Sequence, residues 1–379
     1  MSLFQEFNLD SKLIEALSEQ EYKKPTPIQK KAIPIILEGR DLIGCAQTGT
    51  GKTAAFALPI LNRYVNVAKD PNVFNRIKVL VLAPTRELAI QIGENFRTYG
   101  QFANIQTGVI FGGVTPKRHI KVLKKEPSIL VATPGRLNDL LEDGVVDLSS
   151  LDVFVLDEAD RMLELGMLQD VKDIIALLPK ERQNLMFSAT MPKEIASLVA
   201  SILHNPVRIE VKQEKRYQPK IIQEVYFLEE THKGEKLIDI LKDGDYESVL
   251  IFVRTKKKAD KLAKFINVNN IRTKAFHGDI NQTQRIKVLD MFKNKEIRVL
   301  VATDVAARGI DIDQLEVVIN FNIPNVPETY IHRIGRTGRA GEKGLAISLC
   351  SKDEREFLDR IEKLQGVKVT NSSLTLGRN

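Results

Sequence analysis

Asp41-Leu42-Ile43-Gly44-Cys45-Ala46-Gln47-Thr48-Gly49-Thr50-Gly51-Lys52-Thr53-Ala54-Ala55-Phe56-Ala57-Leu58 is the stretch that decides the fold of this chain. Asp41 to Cys45 reads as a short buried strand and Ala54 to Leu61 as a helix, with a glycine-bearing loop between them. In such a strand-loop-helix passage, glycines let successive backbone N–H groups converge on phosphate oxygens, and the helix adds its positive end. Lys52 can then reach the β- and γ-phosphates and Thr53 can hold Mg²⁺. Ala46, Gln47, Thr48, Gly49, Thr50, Gly51, Lys52 and Thr53 are therefore candidate nucleotide-binding residues. Ala46 replaces the first glycine of the generic pattern, and the tight turn rests on Gly49 and Gly51.

Outward from this loop, apolar runs without period-two alternation recur at Val79 to Ala83, Ile129 to Ala132, Val153 to Leu156, Val249 to Val253 and Val299 to Ala302. Strands buried on both faces have this composition. Helical spacing lies between them, as in Leu88, Ala89, Ile92, Phe96 and in Ala259, Leu262, Ala263, Ile266. Alternating strands and helices predict an α/β fold of parallel sheets with helices on both faces. An internal echo predicts two of them. Val81-Leu82-Ala83-Pro84-Thr85-Arg86 is matched by Ile251-Phe252-Val253-Arg254-Thr255-Lys256, and Leu130-Val131-Ala132-Thr133 by Leu300-Val301-Ala302-Thr303, both 170 positions further on. Polar residues from Val211 to Lys220 separate the copies, which sets the expected domains at 1–210 and 218–379 with a linker at 211–217.

The apolar strand Val153 to Leu156 ends in Asp157-Glu158-Ala159-Asp160. A dry strand that delivers carboxylates to its carboxyl end places them where open α/β sheets bind ligands. Asp157 suits Mg²⁺, and Glu158 can orient and deprotonate an attacking water. No second glycine-lysine loop occurs, so one nucleotide per chain is expected.

Composition fits this plan. The 379 residues suffice for two cores, and no apolar run approaches the length of a membrane span. Glu6, Asp10, Glu15 and Glu19 in the first twenty residues are unlike a secretory signal, so a cytoplasmic location is expected. Cys45 and Cys350 lie far apart and read as buried apolar side chains. The net charge of +7 permits a polyanionic partner, but an excess of this size more commonly serves solubility, and only its placement can decide.

With these residues in view, the chain resembles the DEAD-box ATP-dependent RNA helicases from Phe4 to at least Gly344. The resemblance rests on Pro25-Thr26-Pro27-Ile28-Gln29, Pro84-Thr85-Arg86-Glu87-Leu88-Ala89, Gly112-Gly113, Thr133-Pro134-Gly135-Arg136, Asp157-Glu158-Ala159-Asp160, Ser188-Ala189-Thr190, Gln282 with Arg285, and His332-Arg333-Ile334-Gly335-Arg336-Thr337-Gly338-Arg339, in that order. It implies two tandem RecA-like domains that close on ATP and single-stranded RNA, and local separation of short RNA duplexes coupled to hydrolysis of ATP.

The resemblance also implies roles for single residues. Gln29 would read adenine through its amide, and Tyr22 would stack on the base with Phe4 supporting the loop, although both aromatics suit core packing equally. Asp311 would contact the ribose, and Arg336 and Arg339 would act as arginine fingers on the γ-phosphate. Thr85, Arg86, Gly112, Gly113, Thr133, Gly135, Arg136, Arg254, Thr255, Gly278, Gln282, Arg285 and Thr303 would hold the RNA sugar-phosphate backbone without reading bases. Asp160, Ser188, Thr190, Asp304 and His332 would couple the two ligands.

Auxiliary or ribonucleoprotein partners are expected to supply RNA specificity, and a monomer is the expected state. Two positions depart from the family pattern. Glu21 stands where Gly commonly precedes the aromatic, and Met167 stands where an aromatic often follows Gly166. A DNA-directed translocase and a non-hydrolysing RNA clamp share these parts; Gln29 with the Asp-Glu-Ala-Asp string speaks against the first, and intact Lys52, Glu158, Arg336 and Arg339 against the second.

Overall fold

The computed structural model describes residues 3–46, 49–65, 76–211, 221–307, 315–338 and 344–371. They form two compact units, Met1–Lys212 and Gln213–Asn379. Of the expected linker at 211–217, only Val211 lies within the described residues, and Gln47, Thr48, Asp311 and Arg339 lie outside them.

The first unit is built on seven parallel strands, β1 (Leu42–Cys45), β2 (Val79–Leu82), β3 (Thr107–Ile110), β4 (Ile129–Ala132), β5 (Val153–Asp157), β6 (Gln183–Ser188) and β7 (Val207–Glu210). They lie in the order β3-β4-β2-β5-β6-β1-β7. Side chains of a strand point alternately to the two faces. Val79 and Val81 therefore enter one core, with Ile28, Leu58 and Ile92 from helices Pro27–Leu37, Lys52–Tyr64 and Arg86–Tyr99. Leu80 and Leu82 enter the other, with Leu137, Ile174 and Leu198 from helices Pro134–Glu142, Leu168–Ala176 and Lys193–Ile202. Burial on both faces is why these strands read as continuous apolar runs, at roughly 1.5–3 kcal/mol for each fully buried Leu, Ile or Val.

The second unit has β8 (Ile221–Phe227), β9 (Val249–Val253), β10 (Thr273–Phe276), β11 (Val299–Thr303), β12 (Val317–Asn320), β13 (Gly344–Cys350) and β14 (Thr370–Asn371). Their order, β10-β11-β9-β12-β13-β8-β14, repeats the first sheet place for place. The echoed segments hold matching places, β2 with β9 and β4 with β11. The threonines that follow them match as well. Thr85 (φ −129°, ψ 155°) and Thr255 (φ −132°, ψ 151°) each cap the next helix by accepting a backbone N–H, from Leu88 at 3.3 Å and from Lys258 at 3.2 Å.

Both departures from the family pattern are resolved by one device at helix ends. Helix Ser11–Glu19 closes with Glu21 N–H donating to Ser18 O and Tyr22 N–H to Leu17 O, while Glu21 takes the left-handed conformation (φ 55°). This is the double-bonded helix end that favours glycine, here carrying a glutamate. Helix Ala159–Glu164 ends identically, with Gly166 left-handed (φ 73°) and Met167 N–H donating to Met162 O. The residue after such a turn packs against the helix it closes, and half-buried Met167 lies on the second core beside buried Met162. An apolar side chain is the requirement there, and methionine meets it.

Candidate active site and nucleic-acid interface

Strands β5, β6 and β1 are neighbours, so their carboxyl ends bring together residues far apart in sequence. After β1 the chain is tied to β6 by Ala46 N–H donating to Ser188 O at 3.1 Å. Gly49 (φ 76°) and Gly51 (φ 89°) take left-handed conformations, and the helix starts at Lys52. Lys52 is buried, its Nζ donating to Ala46 O at 2.8 Å, and Thr53 follows on the first turn, half-buried. Gln29 clamps this turn from helix Pro27–Leu37: its Oε1 accepts Thr26 N–H at 2.9 Å and its Nε2 donates to Gly51 O at 3.1 Å. A Cβ on residue 51 would stand 2.4 Å from that Nε2, so glycine is required by both space and backbone. Phe4 is fully buried, and Tyr22 packs between Phe4 and Tyr99, its hydroxyl 2.9 Å from that of Tyr99.

At the end of β5, Asp157 is 2 % exposed. Burial raises its carboxyl from 3.8 to about 7, although nearby Lys52 pulls it down. Glu158 turns into the left-handed region (φ 53°, ψ 51°), and its N–H donates to Asp157 Oδ1 at 3.0 Å. Strain of this kind costs on the order of 1–3 kcal/mol and aims the side chain out of the strand's path. Asp160 is held by β6 and the loop beyond it. Its N–H donates to Ser188 Oγ at 3.2 Å, and its Oδ2 accepts Thr190 N–H at 2.8 Å and Thr190 Oγ1 at 2.9 Å. Ser188 Oγ in turn donates to Thr190 O at 2.7 Å. The three expected coupling residues of this unit thus form one hydrogen-bonded group. The donor set of Thr53 hydroxyl and Asp157 carboxylate suits a hard cation such as Mg²⁺, and the raised value of Asp157 marks a buried anion under-compensated by its protein neighbours.

The other half of the same sheet edge, β3-β4-β2, carries the expected RNA residues of this unit. Thr85 and Arg86 follow β2, Gly112 and Gly113 follow β3, and Thr133, Gly135 and Arg136 follow β4. Arg86 lies over the glycines: a Cβ on residue 113 (φ 82°) would stand 2.2 Å from its guanidinium. Arg136 donates to Val114 O at 3.4 Å and pairs with Asp139 at 3.4 Å, while Thr133 is buried as the cap of its helix.

In the second unit, Arg254 and Thr255 follow β9, Gly278 and the helix starting at Gln282 follow β10, and Thr303 and Asp304 end and follow β11. β10-β11-β9 are likewise neighbours. Arg285 is buried, its guanidinium 4.5 Å over the Phe276 ring and donating to His277 O at 3.3 Å, so it braces the loop that carries Gly278. Asp304 is engaged by Arg333 through two bonds, 2.6 and 2.7 Å. Arg333, to which sequence reasoning assigned no role, is 3 % exposed and also donates to Asn320 Oδ1 at 3.0 Å and Asn322 O at 2.7 Å. The signal was an arginine one turn after Tyr330 and next to Ile334, both buried. His332 is exposed and Arg336 half-buried on the same segment. A second group that sequence reasoning missed is Glu354, which accepts from buried Lys233 at 2.5 Å, Asn322 at 3.2 Å and Arg254 at 3.3 Å.

Comparison with known proteins bears on this arrangement. The DEAD/DEAH box helicase family model matches residues 26–198, and the helicase conserved C-terminal domain matches 232–341. ATP-dependent RNA helicase CshA of Limosilactobacillus reuteri is 41% identical over 367 residues, 97% of this chain and 72% of that protein. DEAD-box ATP-dependent RNA helicase RhpA of Helicobacter pylori is 42% identical over 360 residues, 95% of this chain and 72% of that one. Among solved structures, S. cerevisiae Dbp5 bound to RNA and ADP BeF3 superposes with a TM-score of 0.85 at 32% identity, covering 98% of this chain and 95% of that one.

Proposed function

The chain belongs to the DEAD/DEAH box helicase family, and on that premise we propose that it hydrolyses ATP in response to RNA and uses the cycle to separate short duplexes locally. One observation carries the assignment of residues: a single sheet edge holds the nucleotide loop and carboxylates on β5-β6-β1 and the phosphate-backbone residues on β3-β4-β2. Lys52 and the loop amides hold the phosphates, and Gln29, already fixed at Gly51, meets the adenine edge. Asp157 and Thr53 would hold Mg²⁺, which would supply positive charge to the phosphates. Glu158 takes a proton from the water that attacks the γ-phosphorus, and the bond to the leaving ADP breaks. Arg336 and Arg339 offset charge on the transferring group, and Asp311 holds the ribose.

The RNA-facing threonines, glycines and arginines grip the backbone of a single strand in a form that a duplex does not share. Asp160, Ser188 and Thr190 tie the end of β5 to the end of β6 beside the nucleotide loop, and in this reading they couple the two ligands, so that ATP and RNA favour each other's binding. Location in the cytoplasm is part of this reading; among the described residues no helix is long and apolar enough to cross a membrane.

The test is phosphate release with single-stranded RNA and with DNA of the same sequence and length, in the wild type and in Glu158→Gln. RNA stimulates the wild type and DNA does so weakly, while the variant keeps ATP affinity and loses roughly 10²-fold or more in rate. Equal stimulation by DNA indicates a DNA translocase, and turnover near wild type removes Glu158 from the role of base.

A further inference from the structure

Positive charge is concentrated at one place in the first unit. Helix Pro116–Leu123 follows β3 and the Gly112-Gly113 turn, and with the residues just after it carries Lys117, Arg118, Lys121, Lys124 and Lys125. All five are exposed, no acidic residue intervenes before Glu126, and no carboxylate among the described residues pairs with any of them.

The pattern works against the helix that bears it. Lys117 and Arg118 sit in the first turn, at the positive end of the macrodipole, with no acid there to balance them. Lys121 has like-charged neighbours three or four positions away on both sides, at 117, 118, 124 and 125. Solubility is served by dispersed charges and requires no such crowding.

The cluster is also held in place. His119 Nε2 lies 2.8 Å from Phe111 O, and its buried ring packs edge-on against Phe111 with centroids 5.7 Å apart, which pins the helix to the end of β3. Arg136 bonds Val114 O in the segment leading into the helix. The five cations are thus a rigid continuation of the surface formed by Arg86, Gly113 and Arg136.

We propose that this helix is a further RNA-binding surface, on which the sugar-phosphate backbone continues after leaving the β3-β4-β2 edge. The proposal rests on the RNA reading of that edge and extends it. Eight helical residues span about 12 Å, and with roughly 3.4 Å of axis per phosphate of one strand the surface engages about three phosphates. It reads no bases, because lysine and arginine heads on an exposed helix meet phosphates as charges.

The experiment compares the full-length wild type with the K117Q/R118Q/K121Q/K124Q/K125Q variant, in the presence of a non-hydrolysable ATP analogue. Two RNAs are used, a short single strand that fills only the motif residues and the same strand extended at both ends. Affinity is measured across a salt series. The variant's slope of log K against log salt on the extended RNA is expected to be shallower by about 2, from about three lost contacts at roughly 0.7 each. Its affinity for the extended RNA drops at least about tenfold at low salt, while its affinity for the short RNA and its ATP binding match the wild type.

An unchanged slope on the extended RNA overturns the proposal and leaves an acidic protein surface as the occupant. Equal losses on both RNAs overturn it too, because the helix would then act through the motif residues. A wild type that binds neither RNA refutes the underlying reading instead, and K117R/K121R/K124R/K125R, which keeps the charge, must bind the extended RNA as the wild type does.

Discussion

Replacing Asp157 by asparagine is expected to make the first unit more stable and less able to use ATP, with a gain that depends on pH. Burial lifts the Asp157 carboxyl from 3.8 to about 7. A carboxyl whose folded value exceeds its unfolded one penalises the fold only when ionised. The penalty is therefore absent below about pH 4, grows between pH 4 and 7, and is full above about 7. The difference between about 7 and 3.8, at ~1.36 kcal/mol per pH unit, sets a ceiling on the order of 4 kcal/mol. Asparagine resembles the protonated acid in shape and cannot ionise, so Asp157→Asn should gain about 2–4 kcal/mol at pH 8 without nucleotide or Mg²⁺, and almost nothing at pH 4. Hydrogen exchange of amides in β5 and in helix Lys52–Tyr64 under increasing denaturant isolates the first unit from the second. Adding Mg²⁺ and ATP should reverse the ranking, because ligand binding stabilises only the chain that holds it. A variant no more stable than the wild type above pH 7, or a gain that stays constant from pH 4 to 8, would refute the account of Asp157 as a buried anion awaiting a cation.

Two further outcomes test the frame around the site. Glu21→Gly relieves a left-handed residue at a helix end and is expected to raise stability by roughly 0.5–1 kcal/mol, the conformational strain less the greater chain entropy of glycine; a loss on thermal unfolding would contradict it. Lys233→Met removes a fully buried ammonium from between Glu354 and Glu230 and should cost about 3–5 kcal/mol, read by faster exchange in helix Lys233–Asp243 with no change in β5.

The doubly buried strands and the phosphate loop were legible because each is a local signal: composition for the strands, and glycine, lysine and context for the loop. The repeated sheet was legible from two strings at one offset, since sheets of the same order place equivalent strands at equivalent distances along the chain. What a charged letter does at the end of a strand was not legible. Arg285 and Arg86 read alike as phosphate contacts, yet Arg285 is folded over Phe276 while Arg86 lies over a glycine turn. Arg333 escaped notice because its partners, Asp304, Asn320 and Asn322, come from the ends of two other strands. The net charge left solubility and a polyanionic partner both open, since a count carries no placement.

The duplicated sheet offers an internal control on which charges are meant for ligands. In each unit the first strand, β1 or β8, leads to a helix whose first residue is a lysine, Lys52 or Lys233. Among the described residues of the first unit that ammonium donates to Ala46 O, and burial raises the neighbouring Asp157 carboxyl at the end of β5. In the second unit the lysine is bonded to Phe321 O and paired with Glu230 at 2.9 Å and Glu354 at 2.5 Å. The strand equivalent to β5 ends there in Asn320-Phe321-Asn322, with no carboxylate. One copy of the plan keeps a buried, raised carboxyl beside its lysine, and the other pairs its lysine with carboxylates of its own unit. A buried, partly compensated cluster is a cost to the fold that a bound nucleotide with its cation would remove, whereas the closed cluster has no such charge to offer. On the proposed reading this difference, more than the glycine pattern alone, makes the first unit the anchor of the nucleotide's phosphates, while Glu354 in the second braces Arg254.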